Sequence, residues 1–160
     1  MGHVAEQRSV TRVRQTLARL GARGEVRALD DSARTAQEAA DALGVEVGQI
    51  ASSLVFLADG EPVLVVASGG HRVDTVELAM VLEVNEISKA SADAVRKATG
   101  FAIGGVAPIG HPKPLRTIVD IALSQFDEVW AAGGHPHYVF PTSYDELLRI
   151  TAGEAAEIGA

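Results

Sequence analysis

The chain has no cysteine. That excludes disulfides, thiolate-bound zinc, iron–sulfur clusters and a thiol nucleophile. Aromatic residues are few: one tryptophan, two tyrosines and four phenylalanines. So few rings cannot tile a base-stacking platform of the usual single-strand type. Trp130 and Phe126 therefore read as core residues. Lysine is scarce too, occurring only at Lys89, Lys97 and Lys113. No stretch approaches the ~18 consecutive apolar residues of a membrane span. The first ten residues lack the apolar region of a secretory signal. The expectation is a cytoplasmic protein with no membrane attachment.

What is present is globular material. The chain of 160 residues is 47% hydrophobic and 22% charged, which suits one compact domain (1–160) and argues against disorder. A formal net charge of −7 argues against a general binder of polyanions. The charge is unevenly spread, however. Residues 1–34 carry seven arginines against four acids, and the rest of the chain is strongly acidic. A polyanion would be met locally, by the N-terminal segment or by a lined pocket. Otherwise Arg8, Arg12, Arg19 and Arg23 read as the solvated face of a helix.

Val10, Val13, Leu17 and Leu20 recur at helical spacing up to Gly21. Glu25–Leu29 reads as a short strand, so residues 1–34 form a basic helix-and-strand segment. Thr35 and Glu38 predict a capping box opening a helix that ends at Gly44. Ile50–Ala58 and Pro62–Ala67 predict a hairpin around Asp59-Gly60-Glu61. The unbroken apolar run Val63–Ala67 fits a strand covered on both faces. Asp74 and Ser91 start further helices, the second ended by Gly100. Arg116–Ile121, Glu128–Ala132 and Tyr138–Phe140 read as strands, and Ser143 with Glu146 predicts a last capping box. Strands and helices alternate irregularly, which favours a mixed-sheet α/β or α+β domain over a doubly wound one.

Chemistry concentrates in the segment Thr99–Pro112, with four glycines, two prolines and His111. Adjacent Gly104 and Gly105 let the backbone turn and approach a ligand closely. Consecutive N–H groups there would form a nest for a carboxylate or a developing oxyanion. The same pattern fits a plain turn between helix and strand. His135 and His137 flank Pro136 in a second glycine-rich loop, and extended backbone would put both on one side. His71 follows a further glycine pair. No zinc-ligand spacing is present, so neither a metal nor another cofactor is expected. Asp120 lies inside an apolar strand, where a carboxylate needs partners. It can orient a histidine, bind a ligand hydroxyl or ammonium, or cap a turn. Ser52 and Ser53 interrupt an apolar strand without the surroundings of a hydrolase nucleophile.

Taken together, several segments resemble the YbaK/ProX family of aminoacyl-tRNA editing deacylases, related to the insertion domain of bacterial prolyl-tRNA synthetases. They are Ile50–Phe56, Ser68–Asp74, Thr99–Val106, Pro108–His111, Val119-Asp120 and Trp130–Gly133. The resemblance runs from about residue 35 to 151. It implies a single domain with a mixed, barrel-like sheet flanked by helices and built around a pocket. The implied reaction is hydrolysis of the ester joining a wrong amino acid to the tRNA 3′ end. Partners would be that aminoacyl-tRNA end, an aminoacyl-adenosine-like ligand, or a synthetase. Carried over, Gly104 and Gly105 position the ester carbonyl, with Thr99 leading into their loop. Asp120 and Gly133 match pocket-wall positions. Ser53, His135 and His137 would join Ser52 in binding substrate, and His111 or His137 could act as a base. One departure stands out. Where active members have a lysine, this chain has Ser52, and serine cannot supply a cation. Of the three lysines, Lys113 is the one expected near the pocket. The alternative expectation is a binding module that keeps the pocket without turnover.

Overall fold

The computed structural model describes residues 2–159, with side chains from residue 8 onward. Met1 and Ala160, the ends of the expected domain, lie outside the described residues. Helix α1 (Gly2–Arg19) leads into the short strand β1 (Arg27–Ala28) and helix α2 (Ala36–Leu43). The hairpin β2 (Ile50–Ala58) and β3 (Glu61–Ser68) precedes α3 (Thr75–Leu82), β4 (Ile87–Lys89) and α4 (Ala92–Thr99). Then come β5 (Arg116–Asp120), β6 (Val129–Ala132), β7 (Tyr138–Thr142), α5 (Tyr144–Thr151) and β8 (Glu154–Ala156). The eight strands make one mixed sheet in the order β1-β7-β6-β2-β3-β5-β8, with β4 also paired to β2. β2 runs parallel to β6, and β3 and β8 parallel to β5, while the remaining pairs are antiparallel. Among the described residues no helix is long and apolar enough to cross a membrane.

Local chemistry sets most boundaries. The Thr35–Glu38 capping box forms, and Gly44 closes α2 in the left-handed region at φ 69°. Ser143 accepts the Glu146 N–H as expected, but the Glu146 carboxylate does not return to complete a box. It accepts instead from the Thr142 hydroxyl and the Arg23 N–H, tying α5 to the chain ahead of β1. β3 is covered on both faces. Val63, Val65 and Ala67 pack with Leu78, Leu82, Ile118 and Ile158, while Leu64 and Val66 pack with Val13, Phe101 and Phe140. Burying a side chain of this size contributes about 1.5–3 kcal/mol, so this strand anchors the domain.

The N-terminal arginines do not form one solvated face. Arg12 is half-buried, donates to the Gly100 carbonyl at 3.1 Å and lies 4.5 Å above the Phe101 ring. Arg14 donates to the Val26 carbonyl. Both fasten α1 to the domain, leaving Arg8, Arg19 and Arg23 exposed.

Candidate active site

The sheet has a gap. One edge of β2 pairs with β6 through Ile50 and Ala51 and with β4 through Phe56, Leu57 and Ala58. Between those pairings, residues 52–55 have no neighbouring strand on that edge among the described residues. The Ile50 carbonyl accepts from Gly69 on the β3 side, and the Asp59 N–H donates to Glu86 on the β4 side. Alternation along the strand therefore turns the backbone groups of Ser53 and Val55 toward the gap. A cavity of about 510 Å³ opens there, within the range of small-ligand sites.

Its walls come from seven parts of the chain, the start of β7 with Tyr138 and Val139 among them. The start of α2, β2, the end of β4, α4, the Gly104 loop and β6 with its following loop contribute the rest. The lining is mainly apolar, with Ala39, Ile50, Val55, Val95 and Val106 among its residues. Arg34 and Lys89 are its charged side chains, and no carboxylate is among the described residues that line it. Two buried polar atoms on this wall, Ser53 Oγ and Trp130 Nε1, lack a hydrogen-bond partner among the described residues. Leaving a buried polar group unpaired costs about 1–3 kcal/mol, and such atoms mark places where a ligand can supply the partner. The indole of Trp130 is otherwise core, 5% exposed, with the Arg27 guanidinium 4.9 Å from its ring.

Glycine brings the two loops of the cavity together. Gly104 has φ 93°, closed to most side chains, and packs between Arg34 and Pro136. Gly105 lies against the His135 backbone so closely that a Cβ would sit 2.7 Å from the His135 Cα. Its N–H, however, donates to the Ala102 carbonyl at 3.0 Å. That group closes a turn and is not offered to an oxyanion.

Ser52, Ser53, Gly104 and His135 do gather on the cavity wall. The other expected residues sit elsewhere. Thr99 is buried, donates to the Val95 carbonyl and accepts the Phe101 N–H, so it shapes the end of α4. Gly133 packs against Val26 and Tyr138 behind the loop. His137 does not line the cavity. The segment turns rather than extends, and the His137 ring stacks on His135 with centroids 5.3 Å apart. The His137 N–H donates to His135 Nδ1, which places the neutral ring's proton on Nε2 and leaves Nδ1 occupied rather than acting as a base. His111 is folded back on its own loop, with Nε2 donating to the Ala107 carbonyl at 2.8 Å and the ring edge-on to Phe101. Burial lowers its pKa below the ordinary imidazole value, the Arg12 charge adds to that, and the Ala107 bond opposes it. Lys113 is exposed on a loop outside the cavity.

Asp120 belongs to a different place. It is 1% exposed at the end of β5 and accepts from the Ser68 N–H, the Ala122 N–H and His71 Nδ1. Of the roles open to it, capping a turn and orienting a histidine are both realised, away from the cavity. Among the cavity residues, Arg34 and Lys89 carry charge that the sequence did not point to, and Trp130, read as core, forms part of the wall. Lys89 was hidden because β4 has only three residues. The alternation Ile87-Ser88-Lys89 was its one signal.

Residues 30–150 match the family model described as the aminoacyl-tRNA editing domain. The uncharacterized protein YwhH of Bacillus subtilis is 30% identical over 150 residues, covering 93% of this chain and 90% of that protein. The proline–tRNA ligase of Lysinibacillus sphaericus is 32% identical over 90 residues, covering 56% of this chain but only 16% of the ligase. A crystal structure of a candidate trans-editing enzyme for prolyl tRNA synthetase superposes with a TM-score of 0.89 at 40% identity, covering 95% of this chain and 97% of that one.

Proposed function

The chain belongs to the aminoacyl-tRNA editing domain family, and from that premise we propose that it hydrolyses the ester of a mischarged aminoacyl-tRNA. The observation that carries the reading is the cavity at the β2 gap, where Ser52, Ser53, Gly104 and His135 meet. Its volume of about 510 Å³ and apolar walls suit a small side chain and part of a terminal adenosine. Relatives named proline–tRNA ligase, and a structural neighbour named for prolyl tRNA synthetase, point to a tRNA for proline as the first substrate to try. The aminoacyl-tRNA 3′ end, or a synthetase presenting it, would be the partner.

The reaction needs little covalent help. Water adds to the ester carbonyl, the bond to the ribose oxygen breaks, and the products are a free amino acid and a tRNA 3′-hydroxyl. The ester is activated, and the neighbouring ribose hydroxyl can assist the water. The protein's part is positioning and electrostatic stabilisation. With Gly105 committed to Ala102, the donors at the site include the backbone at the β2 gap, the Ser53 hydroxyl and the Trp130 indole N–H. One lost oxyanion donor typically costs roughly 2.7–4 kcal/mol, so a weaker enzyme is the expected result.

A second reading, a binding module without turnover, is favoured by Ser52 in the lysine's place together with the committed Gly105 N–H. One experiment separates the two. Correctly and wrongly charged tRNAs, those for proline first, are incubated with wild type and Ser52→Lys, and deacylation is compared with the spontaneous rate. Acceleration by wild type supports the enzyme. Acceleration by Ser52→Lys alone identifies the module.

A further inference from the structure

We propose that Lys89, reaching in from β4, supplies to the cavity the cation that Ser52 does not, and that with Arg34 it grips a phosphate of the ligand. The ligand being a nucleotide ester rests on the function proposed above. The cation pair stands on the geometry. Arg34 lies beside Gly104 on the cavity wall, next to the start of α2. Lys89 stands at the end of the gap flanked by β4, paired in register with Phe56. Residues directly opposite each other share a face, so Lys89 projects on the side of Phe56, Leu54 and Ser52. Ser52 is four residues from Phe56, about 13 Å along the strand. A lysine at either place, on its four-carbon stem, extends over the stretch between them.

The two cations are held ready rather than used. Arg12, Arg14, Arg116 and Arg149 donate to carbonyls or carboxylates of the chain. Neither the Arg34 guanidinium nor the Lys89 ammonium forms an ion pair among the described residues. Asp59 fixes where Lys89 starts. Its carboxylate accepts the N–H groups of Asn85 and Glu86, and its own N–H donates to the Glu86 carbonyl, which docks the entry to β4 on the hairpin turn. In a chain of net charge −7, a cavity lined by two cations, with no carboxylate among the described lining residues, carries positive potential. An apolar interior behind a cationic mouth fits a ligand with one anionic group beside an uncharged body.

The test measures binding of two non-hydrolysable probes, 3′-aminoacylamino-3′-deoxyadenosine with and without a 5′-phosphate, at low and moderate salt. Wild type should bind the phosphorylated probe about tenfold more tightly, what one charge-assisted hydrogen bond supplies. That advantage should shrink as salt rises. Lys89→Met should remove most of it, Lys89→Arg should keep it, and Ser52→Lys added to Lys89→Met should restore part. Lys113→Met should change nothing, and thermal melts should show every variant folded. An unchanged phosphate advantage in Lys89→Met overturns the proposal, as does no preference for the phosphate in wild type. Lys89-dependent binding of adenosine 5′-monophosphate, without binding or hydrolysis of any aminoacyl compound, would sink the editing reading and leave the phosphate grip standing. Deacylation with no phosphate preference would do the reverse.

Discussion

Two regions of this molecule collect polar side chains inside a largely apolar domain, and they differ in how their hydrogen bonds close. Around Asp120 every bond closes within the chain. The carboxylate takes two backbone N–H groups and one imidazole N–H, and Ser68 adds a bond from its hydroxyl to the Gly48 carbonyl. At the β2 gap the bonds stay open. Among the described residues a strand edge has no neighbour, two buried polar atoms lack partners, and two cations lack counter-ions. By residue type the first region reads as chemistry, with its Ser, His and Asp. By bonding it is structural, because a group already satisfied has nothing left to offer a ligand.

The sharpest way to break this contrast is Asp120→Ala. It strands a buried Ser68 N–H and removes a carboxylate that accepts three bonds, so stability should fall by about 3 kcal/mol, read by urea unfolding. Deacylation per folded molecule should be preserved. A stable variant that has lost activity would move Asp120 into the chemistry. Gly105→Ala tests the cavity side. A Cβ 2.7 Å from the His135 Cα must displace one loop, which should cost about 1–3 kcal/mol. The resulting misplacement should also slow deacylation by on the order of a hundredfold in single-turnover assays. Native stability with full activity would show that the two loops need not touch.

Ser53→Ala is a smaller test and has the opposite sign for stability. It removes an unpaired buried hydroxyl, so the free protein should gain up to about 1 kcal/mol while probe binding weakens. Lower stability would mean that the hydroxyl is satisfied within the fold. The smallest effect belongs to His111. Its folded-state pKa lies below its unfolded one, so the unfolded chain binds the extra proton first. Stability should therefore decline as pH falls below about 6.5, the ordinary histidine value. His111→Gln should flatten that slope in melting curves taken between about pH 5 and 7. An identical slope in the variant would show that another group carries it.

Local chemistry was legible in the sequence wherever neighbours along the chain decide the outcome. The Thr35–Glu38 box, the Gly44 stop, the hairpin at Asp59-Gly60 and the two-faced strand Val63–Ala67 all form as their residue types dictate. Caps and tight turns involve partners within four residues, and an unbroken apolar run can be stabilised only by cover on both sides. The strands β4 and β8, three residues each, escaped that reading because pairing to β2 and β5 defines them rather than periodicity.

The site was legible only in part, for the same reason. Sequence order placed serines in a strand and glycines in a loop, and those residue types already implied a ligand near the backbone. Which backbone groups remain free was decided by tertiary pairing. β6 and β4 take the two ends of one β2 edge and leave its middle open, while Ala102 claims the Gly105 N–H. The fold also reassigned charge. Arg12 became a clasp between α1 and Gly100, Asp120 a cap shared with His71, and Lys89 a cavity residue carried there by a strand of three residues. A sequence lists donors, acceptors and charges. Their availability depends on partners brought from distant parts of the chain, and packing alone makes that choice.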